Sequence, residues 1–468
     1  MKKYYKLFTL EMMLTFVALN MTIWPTSLIS QITPAEPLIV SKYRETANQL
    51  ITTALSDSFA FDRLAELTDT FGPRFSGTQN LEDAIDWILE EMKKDGFENV
   101  HGEEVMVPKW VRGEEWVELV EPRFKKLEML GLGGSISTPT EGIEAEVLVV
   151  GSFDELETRK EEAQGKIVLF NVPFTTYGET VRYRYAGATA AAKVGAVASL
   201  IRSISPYSMN TPHTGGMGYE EDVPKIPHAA ITIEDAMMLQ RMADRGERVV
   251  VRIYMEGHFE PDVLSRNVVA ELVGREFPEE VIVLGGHIDS WDVGEGAMDD
   301  AGGCVAAWEA VRLMKELDLR PRRTIRVVLW TNEENGGRGG KGYRDAHKDE
   351  LHNHILAIES DNGVFKPRGL GFTGSEEARI VVNEIAQLLV SIESDEVPTD
   401  GRAADIGPLI DEGVPGMSLK VDGSRYFWYH HTNADTMDKL NPHELNLCIA
   451  TLAVMAYVVA DMPERLPR

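Results

Sequence analysis

Residues 281–303 read VIVLGGHIDSWDVGEGAMDDAGG, and the class of fold follows from them. The first four residues form a short apolar run that is typical of a buried strand, and two glycines follow it. His287 comes directly after the glycines, and Asp289 lies two residues further on. Asp299 and Asp300 then stand at the start of a predicted helix. A strand followed by a turn and a helix is the repeating unit of an α/β protein, whose sites lie where the strands end.

Three further predicted strands each lead to a histidine or a carboxylate. They are Ile325–Trp330 before Glu333 and Glu334, Ile355–Ile358 before Glu359 and Asp361, and Met417–Val421 before His430 and His431. Predicted helices alternate with these strands, at Ala301–Leu317, Glu376–Leu389 and Glu444–Ala460. The alternation predicts an α/β fold with helices on both faces of a sheet. One acidic strand end is an ordinary solvated turn, but four polar strand ends in succession predict a shared site.

The mixture of imidazole and carboxylate groups indicates a divalent metal centre. Imidazole with carboxylate suits zinc, and several bridging carboxylates suit a pair of ions. Two cations about 3.5–4 Å apart need an anionic bridge between them. One neighbouring acid has to stay free of metal to act as general base, and Glu333 and Glu334 could divide these two roles.

Four motifs, GGHIDSWDVGEGAMDDAGG, TNEENGGRGG, IESD and HHTNADT, together resemble the co-catalytic zinc exopeptidases of the zinc aminopeptidase and glutamate carboxypeptidase superfamily. The phrases HIDSWDVGEGAMDD and YFWYHHT are most similar to the carboxypeptidase Q branch of that superfamily. The motifs cover about residues 265–440, and GPRFSGT at 72–78 matches the family's early turn. Their order and spacing make the resemblance specific.

The resemblance implies a role for each residue of the predicted centre. His287 and Asp361 would hold one zinc ion, Glu334 and His431 the other, and Asp299 would bridge both; Glu333 would be the general acid/base, and Asp289 would orient the His287 ring. His430 is a rival for His431, which fits the family pattern of His-Thr followed by Asp better. Tyr426 and Tyr429 either line the substrate pocket or only pack in the core.

The residues from about 110 to 255 predict a separate β-rich unit. Short strand-like runs occur there, around an Ala-rich helix at Gly187–Lys193. GKIVLF, AAKVGAVASLI and IPHAAITIEDA resemble a protease-associated domain. We therefore expect a leader at 1–35, a catalytic domain split into 36–112 and 259–468, and a protease-associated insert at 113–258. The resemblance further implies the mixed central sheet of the zinc aminopeptidases in the catalytic domain.

Charge and the N-terminus limit the partners and the compartment. The 468 residues carry a formal net charge of −28, which argues against binding to nucleic acid or to anionic lipid. Three lysines, Lys2, Lys3 and Lys6, precede the apolar stretch Met12–Trp24, a pattern typical of a signal peptide. The alternative is a short membrane anchor or an uncleaved leader. With export, the protein would be secreted or periplasmic and free of the membrane after the leader is removed.

The sequence thus predicts an exported dizinc metallo-exopeptidase that hydrolyses dipeptides or short peptides. Alternatives on the same fold are an aminopeptidase, an N-acyl or amide hydrolase, and a non-catalytic receptor-like binding protein. A homodimer is implied by the resemblance alone. The two cysteines, Cys304 and Cys448, lie in apolar stretches, which favours buried thiols over a disulfide bond.

Overall fold

Fifteen strands and thirteen α-helices form in residues 37–468, the part of the chain that the computed structural model describes. The strands are β1 (Glu98–Val111), β2 (Glu115–Glu121), β3 (Lys125–Leu127), β4 (Met129–Gly131), β5 (Ile143–Val150), β6 (Ile167–Phe170), β7 (Ala198–Arg202), β8 (His228–Ile231), β9 (Val250–Met255), β10 (His258–Leu272), β11 (Phe277–His287), β12 (Arg323–Trp330), β13 (His354–Glu359), β14 (Pro367–Thr373) and β15 (Gly416–Val421). The helices are α1 (Leu38–Ser56), α2 (Phe59–Phe71), α3 (Gln79–Lys94), α4 (Phe153–Thr158), α5 (Lys160–Ala163), α6 (Tyr177–Lys193), α7 (Ile233–Asp244), α8 (Gly302–Glu316), α9 (Arg338–Ala346), α10 (Glu376–Ala386), α11 (Gly407–Asp411), α12 (Tyr426–Tyr429) and α13 (Pro442–Asp461).

Seven of the strands form one mixed sheet, in the order β1-β10-β12-β11-β13-β15-β14. The four central strands, β12, β11, β13 and β15, run parallel to one another, and the outer pairings are antiparallel. The carboxyl ends of the parallel strands therefore lie along one edge of the sheet. The predicted mixed α/β fold is confirmed.

Helices cover both faces of this sheet because side chains alternate across each strand. On one face, Ile282 and Leu284 of β11 lie in a large core with α8 and α13. On the other face, Val283 packs in a smaller core with Tyr343 of α9 and its neighbours. The central strands are apolar on both faces for this reason.

Two glycines before His287 allow the end of β11 to approach its neighbours closely. A Cβ atom at Gly285 would lie 1.8 Å from the carbonyl oxygen of Val328 on β12. A Cβ atom at Gly286 would lie 2.4 Å from the Asp300 carboxylate. The pair of glycines is therefore required by the packing around the strand end.

The other eight strands form a second sheet, in the order β3-β2-β9-β5-β6-β7-β8-β4. Strand β1 leads from the seven-stranded sheet towards it and β10 leads back, and the two pair antiparallel from Glu98 and Glu271 to Val111 and His258. We call the chain between β1 and β10 the inserted region. Its sheet has its own apolar cores, formed with α4, α6 and α7. Its boundaries and its protease-associated character stay predictions.

Most predicted helices and strands of the seven-stranded sheet occur within a few residues of the expected bounds. The helix predicted at Gly187–Lys193 is different, because α6 begins ten residues earlier, where the Thr176 side chain accepts a hydrogen bond from the Glu179 amide. Helix α13 is long and apolar enough to cross a membrane. However, 89% of its most apolar 18-residue stretch is buried inside the protein, as in a core helix. Cys304 and Cys448 are free, buried thiols, as expected. The predicted leader lies outside the described residues.

Candidate metal centre

The polar strand ends meet at the carboxyl edge of the four parallel strands. His287 is the last residue of β11, and Glu333 and Glu334 follow β12. Asp361 lies two residues after β13, and His431 follows α12, which comes after β15. Neighbouring parallel strands place their ends side by side, so residues far apart in sequence become neighbours.

Asp299 lies between two groups of ligand-type atoms. On one side, His287 Nε2 lies 3.3 Å from Asp299 Oδ1 and 3.4 Å from Asp361 Oδ1. On the other side, His431 Nε2 lies 3.4 Å from Asp299 Oδ2 and 3.0 Å from Glu334 Oε2. The structure thus brings all five predicted ligands together, and it places one Asp299 oxygen in each group.

His430 is a neighbour of the second group. Its ring stacks on that of His431 with 3.5 Å between centroids, and its Nε2 lies 3.7 Å from Asp299 Oδ2. His431 approaches Asp299 more closely and also contacts Glu334. The geometry therefore favours His431 as the ligand, although His430 lines the same space and also has its ring near Asp299.

The side chains of this cluster fit a divalent cation. Within residues 37–468, Asp299 Oδ2 and Glu334 Oε1 are buried and accept no hydrogen bond, a costly state for a carboxylate oxygen unless a cation meets it. Burial raises the pKa of Glu334 well above its ordinary value, and the Asp299 charge adds to this. Burial also lowers the pKa of His431 to about 3, so its imidazole is neutral, the form that binds metal. Carboxylate and imidazole donors of this kind suit zinc.

Asp289 has a different contact from the one predicted. The His287 Nδ1 atom lies 2.9 Å from the main-chain oxygen of Asp289 and 3.9 Å from its carboxylate Oδ1. The carboxylate instead accepts hydrogen bonds from the amides of Glu333 at 3.0 Å and Glu334 at 3.3 Å. The tight turn after β11 brings the carbonyl to the ring, so Asp289 orients His287 through its backbone and the β12 turn through its side chain.

Three residues without a predicted role hold the loop that carries Asp299. Asp435 accepts hydrogen bonds from the amides of Met298 at 2.7 Å and Asp299 at 3.1 Å. Asp300 Oδ2 accepts one from the His287 amide at 3.1 Å. The buried Arg74, in the GPR turn, donates to four carbonyl oxygens, those of Gly72, Ile288, Glu295 and Gly296. In the sequence, the only indication of these three roles is that each residue lies within one of the quoted motifs.

The inserted region forms the opposite wall of the site. A cavity of about 300 Å³ is bounded by the ligand cluster on one side and by Tyr177 and Arg184 of α6 on the other. Thr214 of the inserted region donates its amide to the His431 carbonyl at 3.0 Å, and its own carbonyl oxygen lies 3.3 Å from His431 Nδ1. Sequence reasoning missed all three residues, because they belong to no motif and come close only in the folded chain. Their one local signal is the seven-residue spacing of Tyr177 and Arg184 along a helix face.

The sequence left open whether Tyr426 and Tyr429 line the pocket or pack in the core, and Tyr426 lines this cavity. Tyr429 is buried in the core instead, with 9% of its surface exposed. Burial raises the pKa of Tyr426 well above its ordinary value, and the charges of Asp299 and Asp361 add to the effect. Tyr426 therefore keeps its proton and can donate a hydrogen bond into the cavity.

Known proteins resemble this chain both in sequence and in fold. Residues 267–456 match the profile of peptidase family M28. The chain is 52% identical over 432 residues to carboxypeptidase Q of Xenopus laevis, with 92% of each chain covered. Its structure resembles the crystal structure of a peptidase M28 precursor from Shewanella amazonensis, with a TM-score of 0.88, 35% identity, and 92% and 99% of the two chains covered. It shares the fold of a zinc aminopeptidase from Bacillus subtilis, with a TM-score of 0.67, 19% identity, and 87% and 96% of the chains covered.

The sequence identity of 52% covers 92% of the chain, whereas the Bacillus subtilis enzyme shares the fold at only 19% identity. The sequence similarity therefore indicates a common family and not only a common fold. The ligand-type residues at the strand ends lie within or beside the segment that matches the family profile. The chain therefore belongs to peptidase family M28, among the relatives of carboxypeptidase Q, and is a zinc-dependent metallopeptidase.

Proposed function

We propose that the protein is an exported dizinc exopeptidase that hydrolyses dipeptides or short peptides. The observation that carries the proposal is the position of Asp299, which offers one carboxylate oxygen to each of two ligand groups. In this proposal His287 and Asp361 hold one zinc ion, Glu334 and His431 hold the other, and Asp299 contacts both. Two bound zinc ions supply a water of lowered pKa and polarise the substrate carbonyl.

Glu333 is the proposed general acid/base. Its amide is held by Asp289, which points the side chain into the cavity beside the ligand cluster. Burial, with the charges of Asp361 and Asp289, raises the pKa of Glu333 to about 8 against the opposing effect of His287. A carboxyl group whose pKa is raised in this way suits both steps, because its ionised form can accept a proton from water and its acid form can donate that proton to the leaving amine.

The size of the cavity supports a short substrate. Its volume of about 300 Å³ lies at the lower end of the range for small-molecule sites. Tyr177 and Arg184 of helix α6 line the cavity together with the ligand cluster, which limits the space for a long polypeptide on that side. A dipeptide therefore suits this cavity better than an internal segment of a folded protein.

Export to the periplasm or the medium is part of the proposal and is supported by the pattern of lysines and apolar residues at the N-terminus. The homodimer implied by the resemblance stays a prediction, which sedimentation of the mature protein would test.

The test of the function is hydrolysis of a panel of dipeptides by the purified protein. We expect cleavage that a chelator abolishes and added zinc restores. A protein that binds two zinc ions and cleaves no dipeptide or short peptide would contradict the proposal.

A further inference from the structure

Two Asn-Gly pairs lie beside the candidate metal centre. Asn335-Gly336 directly follows the predicted ligand Glu334, and Asn362-Gly363 directly follows the predicted ligand Asp361. The sequence contains no other Asn-Gly pair. Asparagine is chemically labile in this context, because glycine has no Cβ atom to hinder the approach of its main-chain nitrogen to the asparagine side chain. Since the two pairs share this chemistry, the structure around each pair decides which of them reacts.

The first pair lies in a turn that water can reach. Gly336 is exposed and Asn335 is half-buried, in the turn between β12 and α9. The Gly336 amide donates a long hydrogen bond, of 3.4 Å, to the Glu333 carbonyl. Both residues of the pair border a cavity of about 380 Å³, which has room for several water molecules. The main-chain nitrogen of Gly336 is therefore weakly held, and water has access to it.

The side-chain amide of Asn335 is activated by its neighbour Asn332. Asn332 Nδ2 donates a hydrogen bond to Asn335 Oδ1, and Asn332 is itself fixed by hydrogen bonds with the Ser76 hydroxyl at 3.0 Å and the Gly337 amide at 2.6 Å. A donor in this position stabilises the negative charge that develops on the oxygen when a nucleophile attacks the carbonyl carbon. A Cβ atom at Gly336 would lie 2.2 Å from Asn332 Oδ1, so the same contact requires glycine after Asn335.

The second pair is shielded. Gly363 is buried, so its main-chain nitrogen is screened from water. Asn362 Nδ2 donates to Ser418 Oγ and to the Leu419 carbonyl, both at 3.4 Å. These two hydrogen bonds hold the nitrogen that would have to leave as ammonia, whereas at Asn335 the hydrogen bond acts on the carbonyl oxygen. The surroundings therefore oppose the reaction at Asn362 and favour it at Asn335.

We propose that Asn335 is a self-modification site, at which the side chain loses ammonia and becomes aspartate or isoaspartate. The Gly336 nitrogen forms a bond to Asn335 Cγ, the Cγ–Nδ2 bond breaks, and the amide proton leaves with the ammonia. Water then opens the resulting five-membered imide. Cleavage at Cγ gives aspartate, and cleavage at the main-chain carbonyl carbon gives isoaspartate, whose main chain runs through Cβ and Cγ. Water is the only reactant that the chain does not supply.

The isoaspartate product lengthens the turn that carries Glu333 and Glu334. Its main chain gains one carbon–carbon bond, of about 1.5 Å. Glu334 lies 3.0 Å from His431 in the ligand cluster, and the Glu333 amide is held by the Asp289 carboxylate, so both side chains depend on the path of this turn. A misplacement of about 1 Å in a catalytic site can cost about 100-fold in rate. The modification itself does not depend on the reaction of the site, but its effect on hydrolysis rests on the proposed function.

The test follows both asparagines while the folded, zinc-saturated protein ages for days at mildly acidic and mildly alkaline pH. Peptide mass spectrometry, with an isoaspartyl methyltransferase assay, gives the converted fraction at each position. We expect conversion at Asn335 to exceed that at Asn362 by at least about tenfold, since two hydrogen bonds hold the leaving nitrogen of Asn362. Conversion should be faster at the alkaline pH, because the attacking main-chain nitrogen has to lose its proton. In urea-unfolded protein the two positions should convert at similar rates.

Dipeptide hydrolysis by the same samples tests the consequence for the site. Activity should fall with the isoaspartate fraction at residue 335, with the modified molecules about 100-fold less active. Asn335→Gln should keep its activity through the incubation, because the longer side chain would have to form a six-membered ring. Asn383→Gln changes an exposed amide on α10 and is the matched control, which should age like the wild type.

The outcomes separate the modification from the proposed function. Equal conversion at Asn335 and Asn362 in the folded protein, or an Asn335 that stays unconverted, would overturn the inference. Conversion to isoaspartate without loss of activity would overturn its effect on the site. If the fresh protein cleaves no peptide, the proposed function fails, and the peptide masses still decide whether Asn335 is modified.

Discussion

Replacing Asp435 by alanine should weaken zinc binding although the side chain contacts no predicted ligand atom. Asp435 is buried, with 3% of its surface exposed. Its carboxylate accepts hydrogen bonds from two consecutive amides of the loop that carries Asp299. These bonds fix the direction in which the Asp299 carboxylate points. Asp435 is therefore a positioning residue for the proposed bridging ligand.

The size of the effect follows from the two amides. Asp435→Ala would leave the N–H groups of Met298 and Asp299 buried without acceptors, and each such loss costs about 1–3 kcal/mol. We expect the free energy of unfolding to fall by about 2–6 kcal/mol. Loss of a partner that orients a metal ligand weakens metal affinity by about 10–100-fold, and we expect a loss in that range.

The assay is competition for zinc against a chromophoric chelator, with urea unfolding of the same samples. Asp438→Asn is the matched control, because Asp438 lies three residues further on in the same segment and its side chain is 74% exposed. An Asp435 variant that unfolds more easily but keeps wild-type zinc affinity would show a purely structural role. Unchanged stability and unchanged affinity together would refute the reasoning altogether.

Four further outcomes are expected. Glu333→Gln should lower kcat by about 10²–10⁴-fold and leave the zinc content unchanged, and surviving activity would show that another group is the base. Removal of zinc by a chelator should lower the midpoint of thermal unfolding, because a ligand at 1,000 times its Kd stabilises the folded state by about 4 kcal/mol. Gly285→Ala should destabilise the fold by about 3 kcal/mol or more, since its Cβ would lie 1.8 Å from a carbonyl oxygen of β12, whereas Gly178→Ala, with no atom within 4 Å, should not. Glu103→Gln should lower the pKa of His347, because contacts with acidic residues raise this pKa against the effect of burial. An NMR titration of the ring would show the change.

The contribution of His347 to the stability of the folded state depends on pH. Burial lowers the pKa of His347, but its hydrogen bonds with Glu103 and Glu350 outweigh this and raise it above the ordinary value. The stabilisation is therefore complete below the unfolded pKa of about 6.5 and is lost as the pH rises through the higher folded value. In the Glu103→Gln variant this stabilisation should be smaller and its loss should be complete at a lower pH, as followed by urea unfolding.

The central sheet and its ligand cluster could be predicted from the sequence because the signals are local. Each central strand is a short apolar run, and each polar residue stands at its end, where parallel strands meet. The strand predicted at Ile325–Trp330 is observed at Arg323–Trp330, and His287 closes β11 as expected. Periodicity and position along the chain were sufficient for these features.

The side of the site that the inserted region forms could not be predicted, because it depends on contacts between residues that are distant in sequence. Arg184 and Thr214 reach His431 across 247 and 217 residues of sequence, and no motif marks them. The start of α6 was missed for a different reason. Its first turns contain aromatic residues, a valine and a glycine, which are weak helix formers, and the Thr176 cap and tertiary packing decide the outcome. The ribbon of β1 and β10 is half exposed and therefore lacks a strong apolar pattern.

The zinc content of the purified, zinc-saturated protein tests the bridging role of Asp299 most directly. The measurement is zinc per chain by elemental analysis, taken with dipeptide hydrolysis on the same samples. We predict two zinc ions per chain in the wild type, with hydrolysis that rises as the second ion is loaded. A single zinc ion per chain at full activity would contradict a centre in which Asp299 joins two metal ions.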